Sequence, residues 1–523
     1  MVVSDKQLMV LIIMDGWGVA PAGPGNAITL AHLPFYKSLV KKYSYTTLKA
    51  HSKYVGLPPG QDGNSEAGHM NIGAGRIVEQ DSVVISRSIN NGTFFRNPAF
   101  IQAVRHATEH KSDVHLIGLF TADQSAHSDP DHLISLITLF KHSNIKNVYL
   151  HLFTDGRDSP PKLAKKIFSA YGGFFSHYAK MATIMGRFYG MDRKKEWTRT
   201  EKAYNAILLG QGIKEHSAAE AIDHAYQRGE SDEFIQPTIM IDDQDKPVGL
   251  LKDNDTVVFF NLRSDRARQL CKPFVQQNFE TANKHSFKRE KVLKNVFFVA
   301  MTDFGPDLGQ VITAFPSRDL TETLPMVLKG YRQLAIAESE KYAHVTYFFN
   351  GGYADPVVNE DRVIVRSPDL KHYEVNPAMS LPLMTDKVFK AIEQKTHDFV
   401  VMNIANADMI AHTGSLSATV EAVEVVDKAL ARLIPAVLQR DGVAIVTGDH
   451  GNAEEVADRQ TGLPDTEHSG NPVPFILVRS GAKVNLRKNG VLGDIGPTIL
   501  EILQIQQPEL MTGKSLLIKK GKK

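Results

Sequence analysis

Phe399-Val-Val-Met-Asn-Ile404 runs directly into Ala405-Asn-Ala-Asp408-Met-Ile-Ala-His412, an apolar segment followed at once by a carboxylate and an imidazole four positions apart. The same arrangement recurs along the chain. Leu8–Met14 precedes Asp15-Gly, Val114–Phe120 precedes Thr-Ala-Asp, and Val148–Phe153 precedes Thr154-Asp-Gly-Arg-Asp158. Met181–Met185 leads to Gly-Arg, Thr256–Phe260 to Asn-Leu-Arg, and Val443–Val446 to Thr447-Gly-Asp-His450. Short apolar runs bounded by turn residues suit strands buried on both faces. Helical patterns lie between them, as in Thr419–Leu438, where Val420, Val423, Val426, Leu430, Leu433 and Val437 form one stripe. Alternating strands and helices predict an α/β fold with mainly parallel sheets, in which ligands bind beyond the carboxyl ends of strands.

The chain has 523 residues, with 60 Lys+Arg against 58 Asp+Glu and a formal net charge of +2, a balance that argues against a nucleic-acid binder. Its apolar runs are far too short to span a membrane, and no targeting signal is expected at its start. The lone Cys271 excludes an internal disulfide and paired-cysteine zinc motifs, which together with the other features predicts a cytoplasmic protein. The basic end, Lys519–Lys523, reads as a solvated tail, and the Asn91-Gly-Thr93 sequon as a turn.

The polar clusters differ along the chain. Those near both ends are rich in Asp, His and Ser, and those between about 120 and 270 in Arg. This predicts one domain made of residues 1–80 and 317–523, with a second, 81–316, inserted. Asp408 and His412 fall on one helical face, while Asp449-His450, His468 and Asp15 bring three carboxylates and three imidazoles in all, enough for two divalent ions. A ligand set of oxygen and nitrogen without thiolate favours Mn2+, Zn2+ or Mg2+. Two ions against three Asp leave positive charge that attracts phosphate. In Gly63-Asn-Ser65-Glu-Ala-Gly-His69, Ser65 reads either as a helix cap or as a hydroxyl activated by a metal. Arginine suits phosphate and carboxylate because its fork donates two hydrogen bonds at once. Arg199 and Arg268 are expected to form ordinary ion pairs.

The stretches Asp15-Gly-Trp-Gly18, Gly63–Gly75, Asn406–Gly414, Thr447–Glu454 and Glu467–Ser469 resemble 2,3-bisphosphoglycerate-independent phosphoglycerate mutases of the alkaline phosphatase superfamily, from about residue 8 to 515. The resemblance implies two α/β domains, an alkaline-phosphatase-like one and an inserted phosphotransferase one, each a mainly parallel sheet flanked by helices. It implies interconversion of 3-phosphoglycerate and 2-phosphoglycerate by a monomer with two divalent ions, Mn2+ foremost and Mg2+, Co2+ or Zn2+ as alternatives. Asp408, His412 and His468 would hold one ion, and Asp15, Ser65, Asp449 and His450 the other. Ser65 would carry the phosphoryl group. His127, Arg157, Asp158, Arg187, Arg193, Arg263, Arg266 and Lys341 would bind the substrate, with Asp158 as acid/base and Lys341 as a further catalytic group. Ala411 stands where the family usually has Gly. A sulfatase is disfavoured because Ser65-Glu-Ala-Gly-His lacks the expected Arg, and a simple phosphatase would not need the arginine-rich segment.

Overall fold

The computed structural model describes residues 6–121, 125–316, 320–370, 372–458 and 461–518. The tail Lys519–Lys523 and Gln124 of the His127 segment lie outside the described residues. The chain forms two compact units, Met1–Gln80 with Arg318–Lys523, and Asp81–Ser317.

In the first unit, the described residues form an eight-stranded sheet. Its order is Glu360–Val365, Gln333–Glu338, Phe399–Ile404, Met9–Met14, Val443–Gly448, Val473–Val478, Ser44–Lys49 and Gly490–Val491. Met9–Met14 lies at the centre, parallel to both neighbours, with Met14 level with Ile404 and Gly448. Only the pairings of Val473–Val478 are antiparallel. Leu8, Val10, Ile12 and Met14 enter the core on one face, and Met9, Leu11 and Ile13 the core on the other. This double burial is why the run is continuously apolar instead of alternating. Helix Leu416–Gln439 buries Val423, Val426, Leu430, Leu433 and Val437 against the first of these cores, while Val420 is only partly buried.

The second unit repeats the plan. Its described strands are ordered Ile312–Phe315, Phe297–Thr302, Thr256–Phe259, Val114–Leu119, Val148–Thr154, Lys180–Gly186, Thr238–Met240 and Ile213–Glu215. Every pairing is parallel except that of Lys180–Gly186 with Thr238–Met240. Leu116 and Ile117 again face opposite cores. Cys271 is buried in one of them, and burial pushes its thiol pKa up, so it is inert. Asn91 accepts a hydrogen bond from the Thr93 N–H, which makes the sequon a turn. No helix among the described residues is long and apolar enough to cross a membrane.

Candidate metal centre and anion site

In the first unit, the functional side chains follow the carboxyl ends of four adjacent strands. Asp15 comes directly after Met14, Asp449-His450 after Gly448, helix Asn406–Ala411 after Ile404, and the Ser339–Lys341 turn after Glu338. Ser65 is the first residue of helix Ser65–Ala74. Asn64, not Ser65, caps that helix, its side chain accepting from Ala67 N, so the Ser65 hydroxyl is released for other contacts.

Those contacts are all polar and buried. Ser65 Oγ lies 3.1 Å from Asp15 Oδ1, 3.0 Å from His450 Nε2 and 2.8 Å from Lys341 Nζ. Lys341 also donates to Asp15 Oδ1 at 2.8 Å and to Asp408 Oδ2 at 2.6 Å. Burial alone would raise the Asp15 and Asp408 carboxyl pKa values, but Lys341 and the nearby imidazoles hold both well below the usual range. The same carboxylates outweigh the effect of burial on Lys341 and keep its ammonium charged. His450 is pushed up to about 10, since Asp449, Asp15 and Asp408 overcome its burial.

A second cluster adjoins the first. His412 Nε2 and His468 Nε2 approach Asp408 Oδ1 to 3.3 and 3.4 Å and lie 3.1 Å from each other. The outer nitrogens explain their orientation. His412 Nδ1 faces the Thr466 carbonyl at 2.7 Å, and His468 Nδ1 the Gly63 carbonyl at 2.8 Å. Each carbonyl can only accept, so each Nδ1 donates to it and each Nε2 is left to face the other ring and the Asp408 carboxylate. Burial lowers the His412 pKa, but Asp408 more than offsets it. Two Nε2 atoms and an anion converging in this way fit a divalent cation, with the ring orientation set by the outer hydrogen bond. The Asp15, Asp408 and His450 donor atoms likewise lie within 4.8 Å of one another.

Other residues in these motifs also have defined contacts. Asn452 donates to Asp408 Oδ1 at 2.8 Å. Glu454 Oε2 accepts from Gly18 N and Asn452 N, both at 2.9 Å, and ties two motif loops together. Neither was assigned from the sequence, although both stand within Thr447–Glu454. The other Glu454 oxygen accepts from Ser469 Oγ and Asn471 Nδ2, contacts that join distant segments and leave no spacing signal.

In the second unit, the arginines converge in a partly exposed cluster. Arg187 is buried and donates to Asp155 Oδ1 at 2.5 Å and Asp158 Oδ2 at 2.6 Å. Asp155, also unassigned from the sequence, accepts from Thr121 and from the backbone N–H groups of Arg157 and Asp158, shaping the Thr154–Asp158 turn. His127 Nε2 lies 3.6 Å from Asp158 Oδ2; burial, then Arg187 and Arg263, depress its pKa to about 4, so the ring is neutral. Asp158 is held below its usual pKa: burial raises it, but Arg187 and His127 more than offset that. Arg193 and Arg263 reach Asp265 at 2.6 and 3.5 Å, and Arg157 reaches Glu233 at 3.8 Å. Arg266 has its pKa lowered by burial and by Arg193, Arg187 and Arg157. Guanidinium groups gathered this closely make the cluster a candidate site for an anion. Arg199 pairs with Asp192 and stacks on Phe188, and Arg268 pairs with Asp307, as ordinary ion pairs do.

Carboxylates and imidazoles gathered beyond the strand ends of a mainly parallel sheet mark a candidate metal site. A family model described as the Metalloenzyme superfamily matches residues 7–507. The chain is 44% identical to the 2,3-bisphosphoglycerate-independent phosphoglycerate mutase of Chloroflexus aggregans, over 98% of each chain. It is 46% identical to the 2,3-bisphosphoglycerate-independent phosphoglycerate mutase 1 of Methanosarcina acetivorans, over 98% of this chain and 99% of that one. The crystal structure of Leishmania mexicana phosphoglycerate mutase at low cobalt concentration matches with a TM-score of 0.76 and 29% identity over 98% of each chain. The fold and site define a member of the metalloenzyme superfamily. Within it, the chain belongs to the 2,3-bisphosphoglycerate-independent phosphoglycerate mutases, a family of isomerases.

Proposed function

We propose that the chain interconverts 3-phosphoglycerate and 2-phosphoglycerate through a phosphoserine at Ser65, with two divalent ions and without 2,3-bisphosphoglycerate. The position of the Ser65 hydroxyl among Asp15, His450 and Lys341 carries this reading. Asp408, His412 and His468 hold one ion, and Asp15, Ser65, Asp449 and His450 the other. Mn2+ suits their oxygen and nitrogen donors. Divalent ions bound there lower the pKa of a coordinated hydroxyl and neutralise charge on a phosphoryl group in transfer.

The protein's own groups do the rest. His127, Arg157, Arg187, Arg193, Arg263 and Arg266 bind the phosphate and carboxylate of the substrate. Ser65 Oγ, entering as the alkoxide and released as the alkoxide by the second transfer, attacks phosphorus, and the bond from phosphorus to the glycerate oxygen breaks. Asp158 protonates that oxygen and later takes the proton from the other hydroxyl as it attacks phosphoserine. Without substrate, Arg187 keeps Asp158 ionised; an anion that engages Arg187 draws it away and lets the carboxyl take up a proton. Lys341 stabilises negative charge on the transferred group. The unit built from both chain ends thus handles the metals and the phosphoryl group, and the unit between them handles glycerate. A cytoplasmic monomer is the form in which the protein is proposed to act.

The test is conversion of 3-phosphoglycerate in the absence of 2,3-bisphosphoglycerate, before and after complete chelation, with Ser65→Ala alongside. Activity is expected only in the metal-loaded parent. Turnover by the metal-free protein, or by S65A, would refute the mechanism.

A further inference from the structure

Two fully buried side chains with no role in this mechanism stand in line behind the proposed ion-binding carboxylates. Asn403, within strand Phe399–Ile404, places its amide Nδ2 2.6 Å from Asp15 Oδ2 and 3.0 Å from His69 Nε2. His69, on helix Ser65–Ala74, turns its Nδ1 toward the Ser65 carbonyl at 2.9 Å and Asp449 Oδ2 at 3.2 Å.

The proton positions follow from the donors and acceptors. Asp15 is ionised and can only accept, so the amide nitrogen of Asn403, not its oxygen, must face it. The second N–H of that amide points at His69 Nε2, which must then offer a lone pair. A neutral ring with its lone pair on Nε2 carries the proton on Nδ1, where both neighbours are acceptors. The opposite tautomer would set N–H against N–H on one side and a lone pair against two oxygens on the other. Asp449 is held from its other side as well, since Oδ1 accepts from Gly16 N at 3.2 Å and His450 N at 3.0 Å.

We infer that His69 is a positioning residue: with Asn403 it forms a tie, Asp15–Asn403–His69–Asp449, that fixes the orientation of two carboxylates of one ion site. It is not a ligand, although donor atoms of Asp15, His69 and Asp449 lie within 4.8 Å of one another. Its proton occupies the nitrogen that a ligand would need free. That N–H is hydrogen-bonded to the Ser65 carbonyl, and Asp449 Oδ2, a buried oxygen with no hydrogen bond among the described residues, faces the same nitrogen at 3.2 Å, so one ring stands against both the carboxylate and the turn that carries Ser65. The inference rests on the reading that Asp15 and Asp449 hold a divalent ion. Outer partners of this kind change metal affinity by about 10–100-fold.

Mn2+ titration of the full chain, with free Mn2+ followed by electron paramagnetic resonance, tests the tie. His69→Ala should weaken one site about 10–100-fold yet still bind two ions at saturation. His69→Asn, which can keep an N–H near the Nδ1 position, should recover more affinity than His69→Gln. Independently of any variant's folding, 15N-histidine spectra of the parent should show Nδ1 protonated and Nε2 unprotonated, both metal-free and with Mg2+. An unprotonated Nδ1 in the Mg2+-loaded protein, or loss of one ion in H69A, would make His69 a ligand and overturn the inference. Parental affinity in H69A, with affinity lost in Asp449→Ala, would overturn the tie and leave the ion site standing. Parental affinity in D449A would overturn the ion site and the tie with it.

Discussion

Buried charge dominates at the residue scale, and its cost depends on the partner. Arg187 sits between Asp155 and Asp158 with a side chain only 2% exposed, whereas that of Asp158 is 40% exposed. Removing the guanidinium strands Asp155 in the interior while Asp158 can turn to water. Arg187→Ala should therefore lower the stability of its unit by about 3 kcal/mol, as loss of one partner of a buried pair does. It should also raise KM for 3-phosphoglycerate, and calorimetry with steady-state kinetics checks both. Glu338 shows the reverse case. It is fully buried and accepts from Ser380 N at 2.9 Å, and burial pushes its pKa up to about 7. A carboxyl whose folded pKa exceeds its unfolded value near 4.5 binds its proton more tightly when folded. Its contribution to stability is therefore fully present below about pH 4.5 and is lost as pH rises toward 7. Glu338→Gln, which cannot ionise, should melt above the parent at pH 8 by the equivalent of about 1–3 kcal/mol. The difference should vanish by pH 5 in thermal scans.

Close approach of backbones governs the elements. Helix Ser65–Ala74 contains Gly68 and Gly73 despite their low helical propensity. A Cβ on Gly73 would lie 1.9 Å from the Phe349 carbonyl oxygen, and one on Gly68 2.7 Å from that of Asp449. These glycines let the helix that begins at Ser65 approach the Asp449 loop at Gly68 and the Phe349 backbone at Gly73. In helix Ala164–Tyr178, by contrast, a Cβ on Gly172 or Gly173 meets nothing within 4 Å. Gly73→Ala should thus destabilise by more than 2 kcal/mol, in the range of overpacked cores, while Gly172→Ala should stabilise by about 0.5–1 kcal/mol; chemical denaturation distinguishes the two. Across the strands of the second unit runs a buried chain. His115 Nε2 meets Asp255 Oδ2 at 3.1 Å, His115 Nδ1 meets His151 Nε2 at 2.9 Å, and His151 Nδ1 meets Thr183 Oγ1 at 3.0 Å. Burial, then His115, holds His151 well below its ordinary pKa of 6.5. The stability it contributes is present above pH 6.5 and is lost as pH falls. His151→Gln should therefore lose less melting temperature than the parent between pH 7 and pH 5.

For the whole molecule, the metal ligands proposed here all belong to one unit, so ion binding should stabilise that unit selectively. The two tryptophans, Trp17 and Trp197, fall one in each unit. In a Trp197→Phe variant, fluorescence reports on the metal-binding unit, and Mn2+ at about 100 times its Kd should stabilise it by about 2.7 kcal/mol. In a Trp17→Phe variant, the remaining signal should shift far less.

The sequence by itself determined the α/β class and most of the strands, because doubly buried strands read as continuous apolar runs, and it pointed to Asp15 and Asp449 directly after two of them and to Asp408 on the short helix after a third. It also placed the Arg187 and Arg263 segments after strands of the second unit, where the structure finds them beside Asp155, Asp158 and Asp265. It did not reveal Asp155, Glu454, Asn403 or His69. Their contacts join strands and helices far apart in the chain, and nothing in local spacing distinguishes a carboxylate that orients a loop from one that caps a helix. Only the tertiary structure decided that Asn64 caps the helix and frees Ser65, that Lys341 lies among carboxylates, and which nitrogen of His412, His468 and His69 faces a backbone carbonyl. Those outcomes depend on which donor meets which acceptor, and that is set by the packing of strand ends side by side.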